Sequence, residues 1–280
     1  MAIPEQSKSP ADRLALLYHL TQAFSSSLDL DEVLNRVMDE VITAVRAERG
    51  FVMLVEGEPR EGTGHKLAFK AARGIDQKTI SEPRFQVSLS VVERVASQGE
   101  PVLASDAQTD DRFNIRHSVM FLGLRSILCV PLKVKDKVTG VIYVDNRLQA
   151  GIFIQADLEL LNAIASSAAI AIENARLYQV AVEKGRMERE LQMARKVQTS
   201  LLPPGIPVAP GWEFAARWKP ARELGGDYYD FILCKDGRMG LVIADVTDKG
   251  MPAALFMAST HSIIRANLYH ISSPAEIINV

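Results

Sequence analysis

Two apolar runs set the limits on what this chain can fold into. Ser126 to Leu132 and Thr139 to Val144 are strongly apolar, and the charged stretch Lys133-Val-Lys-Asp-Lys137 separates them. That pattern predicts two antiparallel strands joined at an exposed hairpin end. The flanking segments extend it. Leu30 to Ala47 carries Val33, Leu34, Val37, Val41, Ile42 and Val45 at helical spacing, with Asp29 or Asp31 as cap and Arg49-Gly50 as its close. Phe51 to Val55 and Lys66 to Ala72 read as strands around a turn rich in Gly and Pro. Ser90 to Gln98 reads as a short helix ended by Gly99, and Pro101 to Ala104 as a short strand. Asp12 to Phe24 is helical in spacing, Ala107 to Arg116 is polar and loop-like, and a further helix starts at Ala156. This order predicts an α+β domain with an antiparallel sheet.

Composition removes several function classes. Lys+Arg number 32 and Asp+Glu 34 in 280 residues, so no global basic excess is available to hold nucleic acid. The two cysteines, Cys129 and Cys234, each sit in an apolar run without a CxxC or a nearby His. They read as buried reduced thiols. Met1 to Asp12 is polar and holds two prolines, unlike a signal peptide. The most apolar helix-like stretch, Ala163 to Ile172, falls short of the roughly 20 residues a bilayer span needs. The expectation is a soluble cytoplasmic protein without a membrane or nucleic-acid partner.

The segments Arg125-Ser-Ile-Leu-Cys-Val-Pro-Leu132, Gly140-Val-Ile-Tyr-Val-Asp-Asn146, Asp157-Leu-Glu-Leu-Leu161 and Ala168-Ala-Ile-Ala-Ile-Glu-Asn-Ala175 resemble the second half of a GAF domain. The likeness covers roughly Ser25 to Tyr178. It implies an antiparallel sheet with helices on one face and a small-molecule pocket on the other. Asn146-Arg147, Phe153 and Asp157 partly match a signature of cyclic-nucleotide-binding members, which would let an Arg147–Asp157 ion pair brace the loop. The ligand stays unassigned: a sensor and a purely dimerising domain both fit. No cysteine is placed to carry a bilin, and no His cluster suggests haem or iron.

From Leu158 the apolar positions Leu161, Ala165, Ala168, Ile172, Ala175 and Val182 step by threes and fours, mostly as a heptad seam. A second seam, Met187, Leu191, Ala194 and Leu201, is out of phase, and Gly185 lies at the break. Two readings stay open. One is an amphipathic helix packed on its own domain. The other is a parallel two-stranded coiled coil, with Gly185, Leu191 and Leu201 as the regulatory linker of a homodimer.

Pro203 to Gly211, with four prolines, ends that helix. Trp212 to Trp218 alternates enough to be a strand. Phe231 to Cys234 and Met239 to Ala244 read as strands around the Asp236-Gly237 turn, and Ala253 to Ala266 as a helix. Asp227 and Asp245 lie nine and eight residues from that turn, which makes them neighbours. They are either turn and cap residues or a carboxylate pair suited to Mg²⁺ or Mn²⁺. Gly225-Gly226 beside them permits close backbone approach.

The run Gly225-Gly226-Asp227-Tyr228-Tyr229-Asp230, then Asp245-Val246-Thr247-Asp248-Lys249-Gly250, then Pro252-Ala253-Ala254-Leu255 resembles the PPM family, in its stage-II-sporulation-E-like branch. The likeness covers about Met187 to Val280. It implies a metal-dependent serine/threonine phosphatase with two Mn²⁺ or Mg²⁺ ions and a metal-bound water as nucleophile. Asp245 would bridge the metals, Asp227 and the Val246 carbonyl would ligate, and Arg222 would steer phosphate. Asp248 stands where the family usually has Gly. The family's further metal-binding aspartates have no counterpart before position 280, so a fragment with little activity is expected.

The fold class implied is α+β: a GAF-type antiparallel sheet with flanking helices, a long linker helix and the N-terminal part of a PPM-type αββα sandwich. The expected divisions are 1–24, an N-terminal helical segment; 25–178, sensor; 179–202, linker; and 203–280, incomplete phosphatase domain. The partner expected is a phosphoprotein such as an anti-sigma-factor antagonist. The alternative is a non-catalytic dimeric ligand-sensing or docking module.

Overall fold

The computed structural model describes residues 10–57, 66–74, 79, 87–105, 125–148, 150–268 and 273–279. The chain divides into two compact units, Met1–Ala181 and Val182–Val280. In the first, α1 (Pro10–Phe24) and α2 (Leu30–Val45) precede β1 (Arg49–Val55) and β2 (Leu67–Gly74). Then come α3 (Leu89–Gln98), β3 (Val102–Ala104), β4 (Ser126–Val134) and β5 (Lys137–Asn146). The long helix α4 (Gln155–Leu201) comes next. The strands form one antiparallel sheet in the order β2-β1-β5-β4-β3.

Both sheet faces are buried, which explains why β4 and β5 read as continuous apolar runs rather than alternating ones. One face, with Val52, Leu128, Val130, Ile142 and Val144, packs on Leu34, Val37, Val41 of α2 and on α4. The other, with Phe51, Met53, Ile127, Cys129, Val141 and Tyr143, packs on Val91, Val92 and Val95 of α3. At Gly140 a Cβ would run into the Met53 carbonyl oxygen, so the β1–β5 contact needs glycine there.

Several boundaries differ from the sequence expectation. The side chain of Asp29 accepts from the Glu32 N–H at 2.9 Å and caps α2. The helix ends at Arg46 in the left-handed region, φ 56°, and Arg49-Gly50 belongs to β1. The cause is a pairing partner: Arg49 and Gly50 face Asp145 and Val144 of β5, and those ladder bonds outweigh a glycine stop. Ala107 to Arg116, and Pro59, Gly62 and Gly64 of the first turn, lie outside the described residues.

The start of α4 settles the first seam. Leu161, Ala165, Ala168, Ile172 and Ala175 are buried in the first unit's core. This stretch is an amphipathic helix packed on its own sheet, not a seam free for a partner. A different stripe, Ile170, Leu177, Val180 and Met187, is exposed. Gly185 sits inside an unbroken helix with nothing within 4 Å of the space a Cβ would take.

In the second unit β6 (Tyr228–Leu233) and β7 (Met239–Ala244) form a two-stranded antiparallel sheet. Helices α5 (Met251–Asn267) and α6 (Pro274–Ile278) complete it. The core is small: Leu202, Tyr228 and Met257, with Trp218, Val242 and Ile264 packed around it. Trp212 to Trp218 is not a strand. Only Trp212 makes an isolated bridge, with Ala209, because among the described residues β6 pairs with β7 alone. Instead Trp212 stacks on Phe214, whose ring meets Phe231 edge-on. No helix among the described residues is long and apolar enough to cross a membrane.

Candidate functional site

The β6–β7 hairpin places the acidic residues. Gly237 takes φ 84° at the turn, and the register runs from Leu233↔Met239 to Tyr228↔Ala244. One step further out, Asp227 and Asp245 stand opposite each other at the open end. Both are exposed. Some loss of hydration and the neighbouring Asp245 carboxylate raise the Asp227 carboxyl above its ordinary range. Two carboxylates in that contact share a proton or accept a cation between them.

The glycines bring backbone to this point. A Cβ on Gly225 would lie 2.9 Å from the Pro220 Cβ, and one on Gly226 3.1 Å from the Val246 carbonyl oxygen. That oxygen accepts from the Asp248 N–H at 2.9 Å and keeps a second lone pair. Asp248 spends one carboxylate oxygen on the Lys249 N–H, at 2.7 Å. Among the described residues no three His, Cys, Asp or Glu side chains converge as a metal group. Asp248 therefore does not enlarge the pair to three. The chain offers two carboxylates and a carbonyl, an all-oxygen set that fits Mg²⁺ or Mn²⁺ as part of a coordination shell.

A residue that sequence reasoning misses meets the site from α4. Gln198 is only 4% exposed. Its Nε2 donates to the Gly225 carbonyl at 2.6 Å, and its Oε1 accepts from the Gly225 N–H at 3.1 Å. In the charged stretch Ala194-Arg-Lys-Val-Gln198 nothing marks the glutamine as buried. Leu191 and Leu201 of the expected linker are partly buried.

The other side of β6 faces α5. Asp230 is buried and accepts from the Tyr228 hydroxyl at 2.7 Å and from Arg265 at 2.7 and 2.9 Å. Burial alone would raise the Asp230 carboxyl, but Arg265 and Tyr228 together hold it below its ordinary value. His261 lies edge-on to Tyr228, with its Nδ1 buried and without a hydrogen bond. Burial and the Arg265 charge push that imidazole down. On the carboxylate side, a groove borders Asp227 and Asp245 and is lined by Arg217, Trp218, Lys219, Tyr229, Phe231 and Ile243. Arg222 is exposed and lies outside that lining. The basic pair flanking Trp218 was the available signal.

In the first unit, Arg49 and Asp145 pair across β1 and β5 at 2.7 to 2.9 Å, both buried. The Arg49 guanidinium lies 5.7 Å from the Phe51 ring centre. Burial pushes the Asp145 carboxyl up to about 6, with Arg49 opposing the rise. Cys129 is fully buried, and burial pushes its thiol far up, which leaves it inert. Cys234 is only partly buried. The expected Arg147–Asp157 ion pair does not form. Asp157 accepts from the Ile154 N–H at 3.0 Å at the start of α4, and the Arg147 N–H donates to Glu48 at 2.9 Å. The helix start takes the carboxylate, and the Arg147 Nε is buried without a partner.

Comparison with known proteins gives two family matches. The GAF domain family matches residues 27–173. The Stage II sporulation protein E family matches residues 235–280, a stretch that holds Asp245, Val246 and Asp248 and begins after Asp227. Protein IcfG of Synechocystis sp. is 39% identical over 84 residues, 30% of this chain and 13% of that protein. The dual 3′,5′-cyclic-AMP and -GMP phosphodiesterase 11 of Drosophila melanogaster is 27% identical over 197 residues, 66% of this chain and 14% of that one. The chain thus spans a small part of the length of these curated relatives. Among solved structures, the GAF domain of an Acinetobacter phosphoenolpyruvate-protein phosphotransferase matches with a TM-score of 0.46 at 22% identity, covering 60% of this chain and 96% of that one.

Proposed function

The chain belongs to the GAF domain family, and from that premise we propose a signalling protein whose GAF unit regulates a metal-dependent serine/threonine phosphatase. The observation that carries the proposal is the Asp227–Asp245 pair, held face to face beside the Val246 carbonyl. The Stage II sporulation protein E match over the adjoining residues supports it. Mn²⁺ or Mg²⁺ held by these three would supply a water of lowered pKa and offset charge on phosphoryl oxygens. Arg217 and Lys219 in the groove, with Arg222 on the same loop, would draw a phosphoserine or phosphothreonine dianion toward the pair.

The partner in this reading is a cytoplasmic phosphoprotein of the anti-sigma-factor antagonist kind. The exposed stripe Ile170, Leu177, Val180 and Met187 supports a homodimer joined along α4. The GAF ligand has no assigned residues. A second reading, a non-catalytic sensing or docking module, draws on the absence of a third acidic or His group at the pair among the described residues.

The test uses the protein as its own cells make it. Mn²⁺-dependent hydrolysis of a phosphoserine peptide, reduced to background by both Asp227→Asn and Asp245→Asn, is the expected result. Hydrolysis untouched by either substitution overturns the Asp227–Asp245 pair as its metal site, and no hydrolysis in any divalent metal selects the second reading.

A further inference from the structure

We propose that Gln198 is a positioning residue for the carboxylate pair, tying the end of α4 to the backbone that carries Asp227. This rests on reading Asp227 and Asp245 as metal ligands. Gln198 is a buried polar side chain of this helix end, and its amide both donates to and accepts from one residue, Gly225, at 2.6 and 3.1 Å. A primary amide bonded to both the N–H and the C=O of one residue fixes the two peptide planes that flank its Cα together.

The backbone beyond Gly225 has little other restraint. Gly226 has no side chain, and its Cα rests against the Val246 Cβ and carbonyl, where a Cβ would lie at 3.0 and 3.1 Å. Asp227 comes next, with its own carbonyl held by the Trp218 indole N–H at 3.0 Å. The Gln198 grip and the Trp218 bond therefore bracket Gly226, and between them set where the Asp227 carboxylate stands against Asp245 and Val246. Loss of the grip frees a two-glycine hinge. Because Gln198 sits on α4, turning or shifting that helix would release Gly225 and loosen the pair without touching either carboxylate.

The experiment uses the 280-residue chain, with Mn²⁺ alone as probe. Gln198→Leu keeps the volume and removes both bonds; Gln198→Glu keeps only the acceptor. Two quantities are read. One is hydrogen exchange at Gly225 in metal-free protein, with the Tyr228–Leu233 amides as the control for an intact hairpin. The other is Mn²⁺ affinity by electron paramagnetic resonance, with Asp227→Asn as the reference for the metal reading.

The expected result is exchange at Gly225 faster by roughly tenfold in the leucine variant, with strand protection unchanged, and Mn²⁺ affinity lower by about tenfold. The glutamate variant should fall between for exchange. Unchanged exchange and unchanged affinity in the leucine variant, while Asp227→Asn abolishes binding, overturn the role of Gln198 and leave the metal reading standing. Wild-type Mn²⁺ binding indifferent to Asp227→Asn overturns the metal reading. Exchange at Gly225 still reports the grip in that case, but the positioning role falls with it. If strand protection collapses in the leucine variant, the comparison of wild type with Gln198→Glu decides on the same two readouts.

Discussion

Asp145 is a carboxylate taken wholly out of water. It is fully buried and pairs with Arg49, one strand away, at 2.7 Å. Burial raises its carboxyl to about 6, above the ordinary value of about 3.9. A folded value above the unfolded one means that the folded protein binds the proton more tightly. That contribution is fully present below pH of about 3.9 and is lost as pH rises through about 6. Removing Arg49 takes away what favours the ionised form. Arg49→Met should cost about 3–5 kcal/mol at pH 7.5 and clearly less at pH 5, where Asp145 can accept a proton. Urea unfolding of wild type and variant at the two pH values checks this; an equal cost at both would mean Asp145 does not titrate there. The pair was not legible in the sequence. Asp145 lies within a strand quoted for family likeness, and only the register of β1 against β5 brings Arg49 beside it.

Among the elements, those with a local cause were the legible ones. The hairpin β4–β5 comes from two apolar runs and a charged turn, and α2 from its apolar stripe and the Asp29 cap. The Asp227–Asp245 pairing was also readable, because counting from Asp236-Gly237 is local arithmetic. What failed depended on distant partners. Trp212 to Trp218 has the alternation of a strand but no strand to pair with among the described residues. The first seam of α4 has the spacing of a coiled coil, yet the same spacing serves a helix on a sheet, and the sheet took it. Gln198 was missed for a related reason: its partner is backbone 27 residues later. Gly185 tests how α4 uses its weak point. Its surroundings are open, so Gly185→Ala should stabilise the helix by about 0.5–1 kcal/mol. Helical circular dichroism through thermal unfolding measures it. A loss of stability would show that the chain needs a non-helical state at Gly185.

For the whole molecule, the two units differ sharply in how much they bury. The first has a sheet covered on both faces. The second leaves Leu233, Leu241 and Ile243 exposed on one side of a two-stranded sheet, Ile243 at 91%. Differential scanning calorimetry should therefore resolve two transitions, the smaller one at lower temperature. Arg265→Ala, which strips Asp230 of its ion pair, should lower that one alone. A single cooperative transition moved as a whole by Arg265→Ala would refute independent melting. The sheet order carries one more consequence. β1 is made early, yet its inner neighbour is β5, and Arg49 waits 96 residues for Asp145. On the ribosome, β1 and β2 can pair while one flank stays bare, and the arginine stays hydrated. Synthesis of β5 then closes the sheet, dries the arginine and fixes the strand alignment in one event, and the start of α4 has only to cover a face already aligned.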